Sequence, residues 1–386
     1  MQIPRRRIYV YLVAVIALAL ALVYGRTRAT PDLRVPIAEI FPAATVFVEK
    51  QGVFVVYDAE QRLLGWAAGG SASGYGGPML VVAGVDPAGE VVGARVVEQR
   101  ETPAFWRMVR AGDYFAGISG SSYDDLSYDY TEVAGVTGAT ISSEAVVESI
   151  RASIAEIAGA AFGVHLPLPR RPFEFGILEI TVLVLILVGI GAQRLKGPTR
   201  RRVRWAAQVT GLVIIGFWKD SPIALAKLAA MASGFFPDPR VSLALYVLIA
   251  GFLITSFAWG RNVYCLYACP FGAAQRCVGV IGGKKLTLPR WAVRLLEGLR
   301  NLIVFAVLFL AFLTLQPTLA SYEPFSTLFS LRGSTLQWVI LFVALVASLA
   351  LRTPWCEFGC PMRTIEIALR DLRRWFGGRN QSVTPD

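Results

Sequence analysis

Of the 386 residues, 55% are apolar and 17% charged, and the mean hydropathy is +0.53, a balance that belongs to an integral membrane protein with a soluble part attached. The formal charge of +11 comes from Lys and Arg clustered beside apolar segments, with no basic, aromatic-interleaved groove, so nucleic acid is excluded as a partner. A single histidine, His165, excludes bis-histidine haem ligation and with it a b-type cytochrome.

Residues 1–29 read as an N-terminal anchor: Arg5, Arg6 and Arg7 precede an unbroken apolar run over 8–24, and no small-x-small cleavage pattern follows it. Residues 30–170 read as a soluble α+β domain. Period-two segments such as VFVVYD and VVGARVVE predict strands, and GGSASGYGGP predicts a turn. Val147, Ile150, Ile154, Ile157 and Ala161 recur at helical spacing over 144–161 and predict an amphipathic helix. His165 falls in the Pro-rich joint HLPLPRRP and reads as a linker residue.

Residues 171–362 read as an all-α polytopic membrane domain. Apolar runs over 176–193, 205–217, 241–259, 300–316 and 335–351 approach the roughly 20 residues that span a bilayer, giving about six transmembrane helices with the anchor. Asp220, in the loop after the second run, reads as interfacial. Lys and Arg number six in 194–204, seven in 260–300 and six in 352–386, against three in 218–240 and one in 317–334. The bias places both termini and all cysteines in the cytoplasm, and the soluble domain outside the cytoplasmic (inner) membrane. Residues 363–386 form a cytoplasmic tail whose Ile365, Leu369, Leu372 and Phe376 share one helical face, predicting a helix lying along the membrane lipid.

Chemistry concentrates in two places. Thr137-Gly138-Ala139-Thr140-Ile141-Ser142-Ser143 immediately precedes the amphipathic helix, where free amides and the positive dipole end receive a phosphate. Gly138 and Ala139 allow close approach to the backbone, Thr140 offers a hydroxyl for a phosphoester link, and Ser142 or Ser143 can cap the helix. Upstream lie a glycine-rich bend, Gly74-Tyr75-Gly76-Gly77-Pro78, and the polar element Glu101-Thr102-Pro103.

In this order these segments resemble the FMN-binding domain shared by NosR/NirI-type proteins and by the G and C subunits of the Rnf and sodium-pumping NADH:quinone oxidoreductase complexes. The resemblance covers roughly residues 35–160. It implies that Thr140, in the (Ser/Thr)-Gly-Ala-Thr motif, is esterified to the FMN phosphate by a flavin transferase. It further implies that the segments around Tyr75, Gly76, Gly77, Pro78, Glu101 and Thr102 line the flavin. The family usually carries Asp three residues before the motif, where this chain has Ala134.

The second place is a duplicated pattern, Cys265-Leu266-Tyr267-Ala268-Cys269-Pro270 and Cys356-Glu357-Phe358-Gly359-Cys360-Pro361, each following an apolar run. Residues i and i+4 share a helical face, so each pair presents two sulfurs to one centre, and the proline then stops the helix. Four thiolates suffice for an iron-sulfur cluster, and equally for Cu(I), Zn(II) or a dithiol cycle. Cys277 has no counterpart and reads as structural.

The motif pair behind this soluble domain resembles the membrane part of the NosR/NirI family and of NapH proteins. Without a following ferredoxin domain, the chain looks like the short members, including the C protein encoded with reductive dehalogenases. The resemblance implies a membrane flavoprotein that passes electrons from quinol or a cytoplasmic donor, through covalent FMN, to an extracytoplasmic reductase. It would be an electron-transfer component or accessory protein rather than a stand-alone enzyme. The alternative is a maturation or regulatory protein for a metalloenzyme. With the flavin outside and the cysteines inside, about 30 Å of hydrocarbon separates the two, so a quinone, partner subunit or further cofactor is expected to bridge them.

Overall fold

A computed structural model of the chain describes residues 5–28, 32–74, 77–101, 106–107, 118–124, 140–167, 173, 175–283 and 285–376. After α1 (Arg5–Arg28) and α2 (Arg34–Ile40), five strands form an antiparallel meander: β1 (Val46–Lys50), β2 (Val53–Tyr57), β3 (Leu63–Ser73), β4 (Pro78–Val85) and β5 (Val91–Glu98). Helix α3 (Thr140–Ile157) follows and runs into one π-helical turn, Ala158–Phe162.

Alternation along the strands divides the core into two layers. Ala68, Val81, Ala83 and Val85 meet Val147, Ile150, Ile154 and Ile157 of α3 on one face. Ala67, Val82, Phe54 and Val56 meet Ile37, Ile40 and Phe41 of α2 and its end on the other. With both faces covered, β4 reads as an apolar run instead of an alternating one. Each buried aliphatic on α3 stabilises this packing by about 1.5–3 kcal/mol.

The sequence predicts a turn across GGSASGYGGP, but Gly69–Ser73 continue β3, and Gly74 N–H donates to Gly77 O at 2.8 Å just before β4 begins. The glycine at 70 serves packing: a Cβ there would lie 1.9 Å from Ser149 O, so α3 crosses the strand where no side chain intervenes. The anchor of the helix is polar. Ser149 Oγ donates to Met79 O at 3.0 Å, and Ser153 Oγ donates to Ala68 O at 2.7 Å while accepting from Ala83 N at 3.0 Å.

The helical part comprises α4 (Ile177–Gly191), α5 (Gly197–Thr210) with its π-helical continuation Gly211–Trp218, α6 (Leu225–Ala232), α7 (Leu243–Ala258), α8 (Pro270–Ile281), α9 (Arg290–Leu313), α10 (Phe325–Phe329), α11 (Thr335–Ala350), α12 (Pro354–Phe358) and α13 (Pro361–Phe376). Small residues set the closest approaches. Cβ atoms at Gly25, Gly211 and Gly251 would lie 2.3–2.6 Å from Phe312 O, Ala268 O and Ile186 Cδ1.

Among the described residues, three helical stretches are long and apolar enough to cross a membrane, Arg7–Arg28, Ile177–Arg194 and Arg290–Leu313, and they give the chain its membrane character. The sequence predicts about six spans. Helices α7 and α11 have 16 residues each, because their ends unwind into the cysteine turns, and Thr353 there takes a left-handed φ of 43°. The run over 205–217 lies in a helix that already begins at Gly197 and carries Arg200, Arg201, Arg202 and Arg204.

The tail forms the expected helix, and its polar residues add contacts that the apolar pattern does not record. In α13, Glu366 and Asp371 are buried, whereas Leu372 and Phe376 are exposed. The helix packs its acidic residues inward because they have partners there: Tyr11 Oη donates to Asp371 Oδ2 at 3.1 Å, and Arg363 pairs with Glu366 at 3.0 Å.

Candidate functional site

Along α3, Ser149 sits beside Met79 and Ser153 beside Ala83, so the helix runs parallel to β4 and its first residue, Thr140, lies at the end of the sheet where β4 begins. The helix start therefore aims its free amides at the glycine-rich bend. Ser142 and Ser143, expected as caps, are the third and fourth residues of the helix, so the capping position precedes Thr140.

Beside this bend, Glu101 is buried and the pair Gly74 and Gly77 wraps the chain around it. A Cβ at Gly74 would lie 2.2 Å from Glu101 Oε1, and one at Gly77, where φ is +150°, 3.1 Å from Arg100 Cβ. Pro78 opens β4, paired with Ser73. The structure thus gathers Gly77, Pro78, Glu101 and the backbone of Thr140 at one end of the sheet. Tyr75, Gly76, Thr102, Thr137, Gly138 and Ala139 lie outside the described residues, as do the side chains of Thr140 and Ser142.

Arg100, which sequence reasoning missed, is the charged residue of this end. Its Nε and Nη2 bond Glu98 Oε1 at 3.1 and 2.6 Å, and its guanidinium lies over the Phe235 ring at 4.7 Å. Phe235 belongs to the turn after α6. The same turn receives Arg26 Nη2 on Ser233 O at 2.9 Å and Ser73 Oγ on Phe236 O at 3.4 Å. The bend of the sheet domain is therefore seated on the helical part.

The cysteines occupy helix junctions. Cys265 lies in the π-helical turn Tyr264–Ala268, Cys269 has left it with φ −65° and ψ 114°, and Pro270 starts α8. Cys356 lies in α12, Cys360 just beyond it, and Pro361 starts α13. The expectation that each pair shares one helical face is corrected: the second cysteine of each motif sits between helices. The proline with its fixed φ and missing N–H suits the first helical position, so it starts the next helix as well as ending the last.

All four motif cysteines are free thiols. A Cβ at Gly272 would stand 3.7 Å from both Cys269 Sγ and Cys356 Sγ, so sulfurs of the two motifs face one another across a residue without a side chain. Gln275 joins the motifs. Its Nε2 donates to Cys356 Sγ at 3.2 Å, and its Oε1 accepts from Trp355 N at 2.9 Å. Asn262 Nδ2 donates to Cys265 Sγ at 3.2 Å. Amide donors aimed at sulfur suit thiolates, which is the form that binds metal. Among the described residues no three Cys, His, Asp or Glu side chains converge as a ligand set. Cys277 lies apart on α8.

Two loops, before α6 and before α10, also contact this junction. Tyr322 Oη donates to Gly359 O at 3.2 Å, and Ile223 N donates to Tyr264 Oη at 3.1 Å. Both Oε atoms of buried Glu323 accept from Leu225 N at 2.9–3.0 Å, tying the loops together. No periodicity in these short segments announces such contacts.

Residues 74–155 match the family described as FMN-binding domain, and residues 241–289 and 335–380 match the 4Fe-4S binding domain. The chain is 28% identical over 198 residues to Protein NirI of Paracoccus denitrificans, covering 47% of this chain and 28% of that protein. It is 28% identical over 209 residues to Regulatory protein NosR of Pseudomonas aeruginosa, covering 50% and 29%. Over 90 residues it is 32% identical to the G-type component of the ion-translocating oxidoreductase complex of Vibrio vulnificus, covering 21% and 43%. The matches to NirI and NosR thus span under a third of each relative's length.

Proposed function

We propose that this chain, an electron-transport-related FMN-binding protein of the NosR/NirI kind, carries FMN as a phosphoester on Thr140 and passes electrons through it to an extracytoplasmic reductase. The observation that carries the reading is the seating of the FMN-binding end on the helical part that holds the duplicated cysteines, through Arg100 on Phe235 and Ser73 on Phe236. Bound FMN supplies the exchange of one or two electrons. The start of α3 holds its phosphate, and Gly77, Pro78 and Glu101, with Tyr75, Gly76, Thr102, Thr137, Gly138 and Ala139 of the neighbouring segments, enclose it.

Cys265, Cys269, Cys356 and Cys360 hold an iron-sulfur cluster, for which Gly272 leaves the space and Asn262 and Gln275 supply donors to sulfur. The Lys and Arg bias supports a multi-pass protein of the inner membrane, with the FMN domain outside and the cysteines on the cytoplasmic side. Quinol or a cytoplasmic donor feeds it, and a flavin transferase installs the FMN. The loops bearing Ile223 and Tyr322, assigned to the outer side by the same bias, contact the cysteine turns at Tyr264 and Gly359. A regulatory or maturation role is the second reading, favoured by the name of the NosR relative.

Thr140→Ala tests the attachment. Flavin fluorescence on a denaturing gel of protein made with its transferase should vanish, and undiminished fluorescence would reject Thr140 as the site.

A further inference from the structure

Between the FMN-binding end and the helical part lies a cavity of about 380 Å³. Its sheet-domain wall holds Pro78, Leu80 and Arg100, and its helical wall holds Ser233, Phe235 and Leu315. Two polar side chains in it are deeply buried and lack partners at specific atoms. Arg100, with 4% of its side chain exposed, has an unbonded Nη1, and Ser233, 2% exposed, has an unbonded Oγ. Buried donors without partners cost about 1–3 kcal/mol each, so a cavity that keeps two of them is built for a ligand that accepts hydrogen bonds.

We propose that this cavity receives the isoalloxazine ring of FMN, and that the turn Ser233–Phe236 of the helical part completes a flavin site otherwise built by the sheet domain. The inference rests on the reading that FMN is attached at Thr140, whose helix begins at the same end of the sheet as Gly77 and Pro78. The chemistry matches on both counts. The ring is flat and apolar along one edge, for which Leu80, Phe235 and Leu315 provide walls. Its other edge carries carbonyl oxygens, for which Arg100 Nη1 and Ser233 Oγ are the waiting donors. Glu98 in the same lining is paired with Arg100 at 2.6 Å, so Arg26, held on Ser233 O, leaves a net positive charge beside the ring that favours its electron-rich reduced form. Ser233, Phe235 and Arg26 are then positioning residues that tie the flavin's potential to the helical part.

The test uses the full chain with its FMN attached, in detergent, comparing wild type with Ser233→Ala and Phe235→Ala. Flavin content should be unchanged. Loss of one neutral hydrogen bond should shift the ratio of reduced to oxidised flavin at a fixed poise by roughly 2- to 10-fold in Ser233→Ala. Phe235→Ala should open the ring to iodide and raise quenching of its fluorescence. If flavin is present at full occupancy but its quenching and potential are indifferent to both changes, the inference is overturned while the attachment at Thr140 stands. If the variants impair reduction by a short-chain quinol with quenching and potential unmoved, the cavity belongs to quinol and the inference is likewise overturned. Absence of flavin from the wild type would overturn the inference together with the reading beneath it.

Discussion

Replacing Gln275, on the helix that follows the first cysteine motif, with leucine removes both of its hydrogen bonds to the second motif. Gln275 is 1% exposed, and its Oε1 is the acceptor for the Trp355 amide at 2.9 Å. A buried N–H left without an acceptor costs about 1–3 kcal/mol, equivalent to roughly a 5- to 150-fold rise in local opening. Hydrogen exchange across Trp355–Cys360 in the purified full chain reads this directly, while exchange in the sheet domain should not change. Iron content should fall in parallel, because the Nε2 donor on Cys356 Sγ disappears with the same substitution. Gln275→Glu separates the two effects: an acceptor for the Trp355 amide remains, but the donor to sulfur is replaced by a carboxylate. Exchange near the wild-type rate with reduced iron is expected. Unchanged exchange in the leucine variant would refute the reasoning.

Gly70→Ala should destabilise the sheet domain by about 1–3 kcal/mol or more, because the new methyl group meets the backbone of α3 at Ser149 and Ser153; thermal unfolding that matches wild type would contradict this packing. For topology, Ala88→Cys, on an exposed turn of the sheet domain, should be labelled by an impermeant maleimide from outside, and Thr199→Cys, in α5, only from inside. The reverse pattern would overturn the orientation drawn from the Lys and Arg bias.

The parts legible in the sequence are those with long periodic or duplicated signals. The isoleucines of α3 recur at helical spacing, and both Cys-x-x-x-Cys-Pro motifs stand after apolar runs. What stayed hidden depends on tertiary contact. Gly69–Ser73 look like a turn because glycine and serine are turn formers, yet they form strand so that α3 can cross closely and bond through Ser149 and Ser153. Nothing local marks Arg100 or Phe235, since their meaning arises where two parts of the chain meet. The i and i+4 spacing of each cysteine pair fits a continuous helix, and it fits equally a helix, a break and a new helix. Proline's suitability for a first turn decides for the second. In α13 the acidic residues turn inward because Tyr11 and Arg363 await them, which no hydrophobic pattern records.

The central claim, that one chain joins a flavin to a metal centre held by both cysteine motifs, is tested most directly by an anaerobic reductive titration of the purified protein with electron counting and iron analysis. Wild type should take up more electrons than the pair its FMN accepts, with iron present. Each of Cys265→Ser, Cys269→Ser, Cys356→Ser and Cys360→Ser should fall to the flavin's pair alone, and Cys277→Ser should behave as wild type. A wild-type protein without iron that accepts only the flavin's electrons would contradict the account.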